Sequence, residues 1–174
     1  VVGVTAVWVV ADRDASSDSS GPLVSDIDTA WRSDDPNVIR VVALGDSYTS
    51  GEGASTFIEG TNVEGSNTCR RATTSYAYRV TQQFGWQLGF FACSGALTQH
   101  ISESGGADPA DVPEGRFQID RVGDDQAPSV DLVLLSIGGN DALFSTIGKA
   151  CALPGSCTEI SQVFESNLRF VSDK

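Results

Sequence analysis

The chain has 174 residues, 40% of them apolar, enough to bury one sizeable core, so a single domain with appendages is the expected organisation. Its net charge of −12 repels phosphate backbones, and with Lys149 and Lys174 as the only lysines it offers no basic stripe, which excludes nucleic acid as a partner. One histidine and four cysteines without a C-x-x-C pair leave no convincing zinc site.

The chain opens on VVGVTAVWVV, an uncharged run of ten residues followed by the polar ADRDASSDSSGP. Ten residues cannot span a bilayer. Residues 1–11 therefore read as the tail of a clipped transmembrane helix or of a signal-peptide h-region, in which Val9-Val10-Ala11 is similar to a small-residue cleavage site. Either origin implies export, and the first implies a membrane tether. A buried strand ranks third, because no turn or partner follows it. Residues 12–37 carry seven aspartates and six serines against Arg13 and Arg32, and read as an acidic linker. The globular part is expected to begin at Val38 and to occupy 38–174.

From Val38 the pattern alternates between strand and helix, as in a parallel sheet. Val38 to Leu44 is an apolar run interrupted by Arg40 and ending at Gly45, the pattern of a sheet strand entering a functional turn. Tyr76 to Phe84 fits a helix with Ala77, Val80 and Phe84 on one face and Gly85 as its stop. Trp86 to Cys93 reads as a second strand ending in SGA. Between it and the third strand lies a segment rich in Gly, Pro and Asp, expected to be a surface excursion with one short helix at Phe117 to Val122. The third strand, Val130 to Ile137, ends in GGND. A last helix follows: Ser156 and Glu159 form a capping box, and Ile160, Val163, Phe164, Leu168 and Val171 make its apolar stripe.

Cys151 and Cys157 bracket ALPGS, whose Pro154-Gly155 favours a turn that brings the two sulfurs together, which leaves Cys69 to pair with Cys93. Two disulfides imply an oxidising compartment. No metal or cofactor is implied.

The three strand ends carry Ser47, Gly95 and Asn140, and in an open parallel sheet such ends share one edge, where ligands bind. A serine hydroxyl is a weak nucleophile; acyl transfer needs a base beside it and donors aimed at the oxyanion formed on attack. The N–H groups of Ser47 and Gly95 and the amide of Asn140 are candidate donors. Each residue alone has a bland alternative, since glycine after a strand marks a turn and Asn-Asp before a helix is a cap. Two rival motifs fail: a G-x-S-x-G elbow needs glycine where Thr49 stands, and Gly51-Glu52 lacks the G-K-[ST] of a P-loop.

Taken together, GDSYTSGEG, the glycine of SGA and GGND resemble, in order and spacing, blocks I, II and III of the SGNH hydrolases, also called the GDSL esterase/lipase family, over Val38 to Lys174. The resemblance implies a three-layer α/β/α sandwich around a parallel, flavodoxin-like sheet, with Ser47 as nucleophile and Gly95 and Asn140 completing an oxyanion hole with the Ser47 N–H. The cysteine placement also resembles exported members of the family. One feature departs: the family's base is the histidine of an Asp-x-x-His block near the domain's C-terminus, and the single histidine, His100, follows the second strand with Leu97 rather than Asp three residues earlier. A structural or solvent-exposed His100 is expected, with the domain incomplete at its C-terminus and the catalytic histidine outside this chain. The implied function is a secreted or extracytoplasmic serine ester hydrolase acting through an acyl-enzyme on a lipid, glycan or small-molecule ester. The alternatives are an acyltransferase acting on glycans and an inactive glycan-binding domain of the same fold.

Overall fold

The computed structural model describes residues 30–32, 35–54, 56–106, 112–123 and 129–151. Three strands, β1 (Arg40–Gly45), β2 (Gln87–Phe90) and β3 (Leu132–Ser136), form a parallel sheet in the order β2-β1-β3. The register sets Val42 beside Gly89 and Val133, and Ala43 beside Phe90 and Leu134. The helices are α1 (Ser47–Ser50), α2 (Tyr76–Phe84) and α3 (Phe144–Cys151), with 3-10 turns between them. The central strand β1 is buried throughout because both of its faces are covered. This is the parallel sheet flanked by helices that an α/β/α sandwich requires.

On one face, Ala43, Phe90 and Ala92 pack with Ile58 and with Ala77 of α2. On the other, Val42, Leu44 and Phe91 pack with Trp31 and with Ile101, Val122 and Val130. Helix α2 starts where Ser75 Oγ accepts the Tyr78 N–H and stops at Gly85, which caps it in the left-handed conformation. Its buried face is Ala77 and Thr81 rather than the expected Ala77–Val80–Phe84 stripe. Thr81 is tolerated there because its hydroxyl bonds back to the carbonyls of Ala77 and Tyr78. Phe84 instead leaves the core and stacks on Trp86, centroids 4.9 Å apart.

Two boundaries differ from expectation. Trp31, placed by composition in the acidic linker, is fully buried, lies edge-on to Phe91 and rests over Gly89, where any Cβ would come within 3.1 Å of the indole. The described fold thus begins before Val38: one large aromatic outweighs its polar neighbours once a strand glycine makes room for it.

The segment between β2 and β3 is likewise no mere surface excursion. Val112, Phe117 and Gln118 are buried, and a single 3-10 turn, Ile119–Arg121, stands where a short helix was expected. Helix α3 went unanticipated because Thr146, Ile147 and Gly148 all lower helix propensity. The expected helix around 156–171 and the Cys151–Cys157 link lie outside the described residues, as do residues 1–11.

Candidate active site

Ser47 follows a glycine that only a glycine could replace. Gly45 has φ +133°, and a Cβ there would fall 2.0 Å from Ser136 O and 2.8 Å from Thr49 Oγ1. The chain can therefore turn sharply off β1 while staying against β3, with the Asp46 N–H donating to Ser136 O at 3.0 Å. Asp46 then caps α1: its Oδ1 accepts the Tyr48 N–H at 3.0 Å, and its Oδ2 accepts the Gly139 N–H at 3.3 Å from the turn after β3. Ser47 is the first residue of this single helical turn and is partly exposed. Its carbonyl accepts from Gly51 and Glu52, whereas its N–H meets no acceptor among the described residues.

Gly95 sits in the turn after β2, exposed, with φ +83° and open space where a side chain would lie. Its neighbours are firmly held. Cys69 and Cys93 are disulfide-bonded, as expected; the Ser94 N–H donates to Cys69 O, and the Ser94 hydroxyl donates to Glu52, which also pairs with Arg70 at 2.6 Å. Asn140, in the turn after β3, donates from Nδ2 to Ala96 O at 2.9 Å, leaving one amide hydrogen for another acceptor. Asp141 beside it accepts the Thr98 N–H and, at 2.7 Å, the Thr98 hydroxyl. Asn140 and Asp141 thus stitch the Gly95 turn to the β3 turn, and Asp46 stitches the β3 turn to the Ser47 turn. The three residues singled out in the sequence come together on one sheet edge.

His100 is tied into the backbone around it. It is buried in the 3-10 turn Thr98–His100, its Nδ1 accepts the Leu97 N–H at 3.1 Å, and its carbonyl accepts the Gln118 N–H. Of the two roles expected for it, the structural one fits.

Tyr76 lies beneath the Ser47 turn, with its hydroxyl 3.1 Å from Thr49 Oγ1. Burial pushes its phenol up, and Tyr48 and Asp46 nearby add to the effect against the opposing hydrogen bond from Thr49, so Tyr76 stays protonated and available to that bond.

Three supporting residues escaped the sequence. Gln118 bonds both backbone groups of Gly45, Glu52 bonds Ser94, and Glu114 accepts from Arg71, Arg121 and Asn67 behind the disulfide. Only Glu52 had a local signal, lying inside GDSYTSGEG. The other two come from the polar segment before β3, where Phe117 and Gln118 are both buried while Ile119 is exposed, so no apolar alternation marked them.

A model of the GDSL-like lipase/acylhydrolase family matches residues 43–171. A lipase from Streptomyces rimosus is 34% identical over 123 residues, which cover 70% of this chain and 38% of that protein; lipase 1 from Streptomyces coelicolor is 33% identical over 123 residues, with the same coverage. The chain thus spans less than half the length of these relatives. Among solved structures, the extracellular lipase of Streptomyces rimosus matches with 31% identity and a TM-score of 0.48 over 76% of this chain and 52% of that one. Phospholipase A1 from Streptomyces albidoflavus matches with 30% identity and a TM-score of 0.47 over 72% and 45%. With the family match spanning all three turns, this chain belongs to the GDSL-like lipase/acylhydrolase family and is a homologue of its carboxylic ester hydrolases.

Proposed function

We propose that this chain carries the nucleophile and oxyanion donors of an exported serine ester hydrolase. The observation that carries the proposal is the joining of the Ser47, Gly95 and Asn140 turns by Asp46, Asn140 and Asp141 at the carboxyl edge of a parallel sheet.

Ser47 Oγ attacks the ester carbonyl, and a base other than His100 takes its proton. The oxyanion so formed draws on the N–H groups of Ser47 and Gly95 and the remaining amide hydrogen of Asn140. The C–O bond to the alcohol then breaks, the base returns its proton to the departing alkoxide, and water cleaves the acyl-serine to release the acid. The net charge of −12 favours neutral acyl esters over strongly anionic ones. The Cys69–Cys93 disulfide supports action outside the cytoplasm. No helix among the described residues is long and apolar enough to cross a membrane.

The test is covalent labelling of the full-length protein by a fluorophosphonate, alongside hydrolysis of short and long p-nitrophenyl esters. Labelling should map to Ser47 and vanish, with turnover, in Ser47→Ala, while His100→Ala retains both wherever it folds. Labelling that survives Ser47→Ala would refute the assignment.

A further inference from the structure

A parallel ladder alternates its bonds: one strand's N–H reaches a carbonyl of its neighbour, and the next N–H along the neighbour returns to the first strand. Past β2 this alternation is broken beside the nucleophile turn. Phe91 N–H donates to Ala43 O at 2.9 Å and Cys93 N–H to Gly45 O at 3.0 Å, so the outward bonds continue. The return bond between them, from Gly45 N–H to the β2 side, goes elsewhere: the donor is 2.7 Å from Gln118 Oε1. Gln118 Nε2 in turn donates to Gly45 O at 2.9 Å.

Gln118 is suited to replace a strand residue in this way. An amide side chain presents one acceptor and one donor at nearly the spacing of a peptide group. Only 4% of Gln118 is exposed, so neither group has water as an alternative. Its own backbone is fixed, with its N–H on His100 O at 3.2 Å and the Ile119 N–H on Ile101 O at 2.9 Å. Gly45 cannot rest on a side chain of its own, so the backbone from which Asp46 and Ser47 depart is held on the β2 side by Gln118 together with the Cys93 N–H, and on the β3 side by the bond from Asp46 N–H to Ser136 O.

We propose that Gln118 is a positioning residue for the nucleophile: its side-chain amide supplies the acceptor that Gly45 N–H lacks on the β2 side, adds a second donor to Gly45 O, and sets the direction in which Ser47 leaves the sheet. The proposal rests on the assignment of Ser47 as nucleophile. It also gives the segment between β2 and β3 a role in the reaction, and it gives His100 one at a further remove, as the carbonyl on which Gln118 hangs.

The test uses the full-length protein with Gln118→Met and Gln118→Glu, at temperatures where circular dichroism shows each variant folded. Gln118→Met keeps the length and removes both bonds. It should lower kcat and the maximal rate of fluorophosphonate labelling at Ser47 by about 10- to 100-fold, the scale of a small misplacement of a reacting group, with KM within about twofold. Gln118→Glu keeps the acceptor but turns a second oxygen on Gly45 O at neutral pH. Once protonated, the acid restores the donor, so its activity relative to wild type should rise as pH falls through the carboxyl's titration, which burial against a carbonyl raises above the free value of about 4.3. Gln118→Met should show no such recovery.

Wild-type labelling rates in both variants, or a lowered melting temperature with kcat unchanged, would overturn the proposal. If Gln118→Met does not fold, the pH-dependent ratio of Gln118→Glu to wild type decides alone. If Ser47→Ala is still labelled, the nucleophile assignment has failed; amide exchange at Gly45 then tests the clamp, which is refuted where exchange is no faster in Gln118→Glu than in wild type at neutral pH.

Discussion

Replacing Glu114 with glutamine should be among the most damaging single changes in the described fold. The carboxylate accepts from both terminal nitrogens of Arg71, from Arg121 and, at 2.7 Å, from Asn67 Nδ2. The side chain of Arg71 is only 3% exposed, and its Nε is committed to Ala92 O at 2.9 Å, so the guanidinium cannot swing out to water. Glutamine is isosteric but neutral, with one acceptor oxygen where the carboxylate has two. It takes the carboxylate's charge away from the buried Arg71 guanidinium, and breaking a buried ion pair by removing one charge costs about 3–5 kcal/mol. At roughly 2–4 °C per kcal/mol for a chain of this size, the melting temperature should fall by about 6–20 °C.

The pH dependence supplies a second signature. Burial by itself pushes the Glu114 carboxyl up, but Arg71 first and Arg121 after it outweigh burial, and the group ends below its ordinary value. A depressed carboxylate contributes stability above its unfolded-state pKa of about 4.3 and loses that contribution as pH falls through the folded value. The gap in melting temperature between wild type and Glu114→Gln should therefore be full at neutral pH and narrow progressively below about pH 4. Thermal melts of both proteins from neutral to acidic pH measure it directly. A gap below about 2–4 °C at neutral pH, equivalent to about 1 kcal/mol, or one that stays constant down to strong acid, would refute the reasoning that Arg71 depends on this carboxylate.

Gly45→Ala should cost at least about 3 kcal/mol, because its methyl meets Ser136 O at 2.0 Å on a backbone at φ +133°, combining overpacking with strain; chemical denaturation checks it, and a near-neutral result would mean that the Ser47 turn is looser than described. Trp31→Ala should destabilise by about 3–5 kcal/mol, as expected for a fully buried aromatic, whereas a solvated linker residue would register within about 0.5 kcal/mol. Non-reducing peptide mapping should recover Cys69 linked to Cys93, and reduction should slow labelling of Ser47 more than it changes KM, since the Gly95 turn hangs from that bridge.

The sequence by itself determined the elements whose signals are local. Apolar runs gave β1, β2 and β3; the helix expected at Tyr76 to Phe84 with Gly85 as its stop matches α2 to the residue; and the strand-end blocks located Ser47, Gly95 and Asn140. These are short-range facts, because the helix-stopping glycine and the turn glycine act within a few residues of where they stand. Tertiary structure alone decided the rest. Trp31 belongs to the core because Gly89, far along the chain, lacks a side chain beneath it. Thr81 rather than Phe84 is buried on α2, where its hydroxyl satisfies itself on the carbonyls of Ala77 and Tyr78. Gln118, Glu114 and Asp141 acquire their roles from partners 43 to 73 residues distant, on strands and turns that meet only after folding. A hydrogen-bonding side chain carries no mark of its partner in a linear sequence; burial gives that partner its value, and burial belongs to the assembled fold.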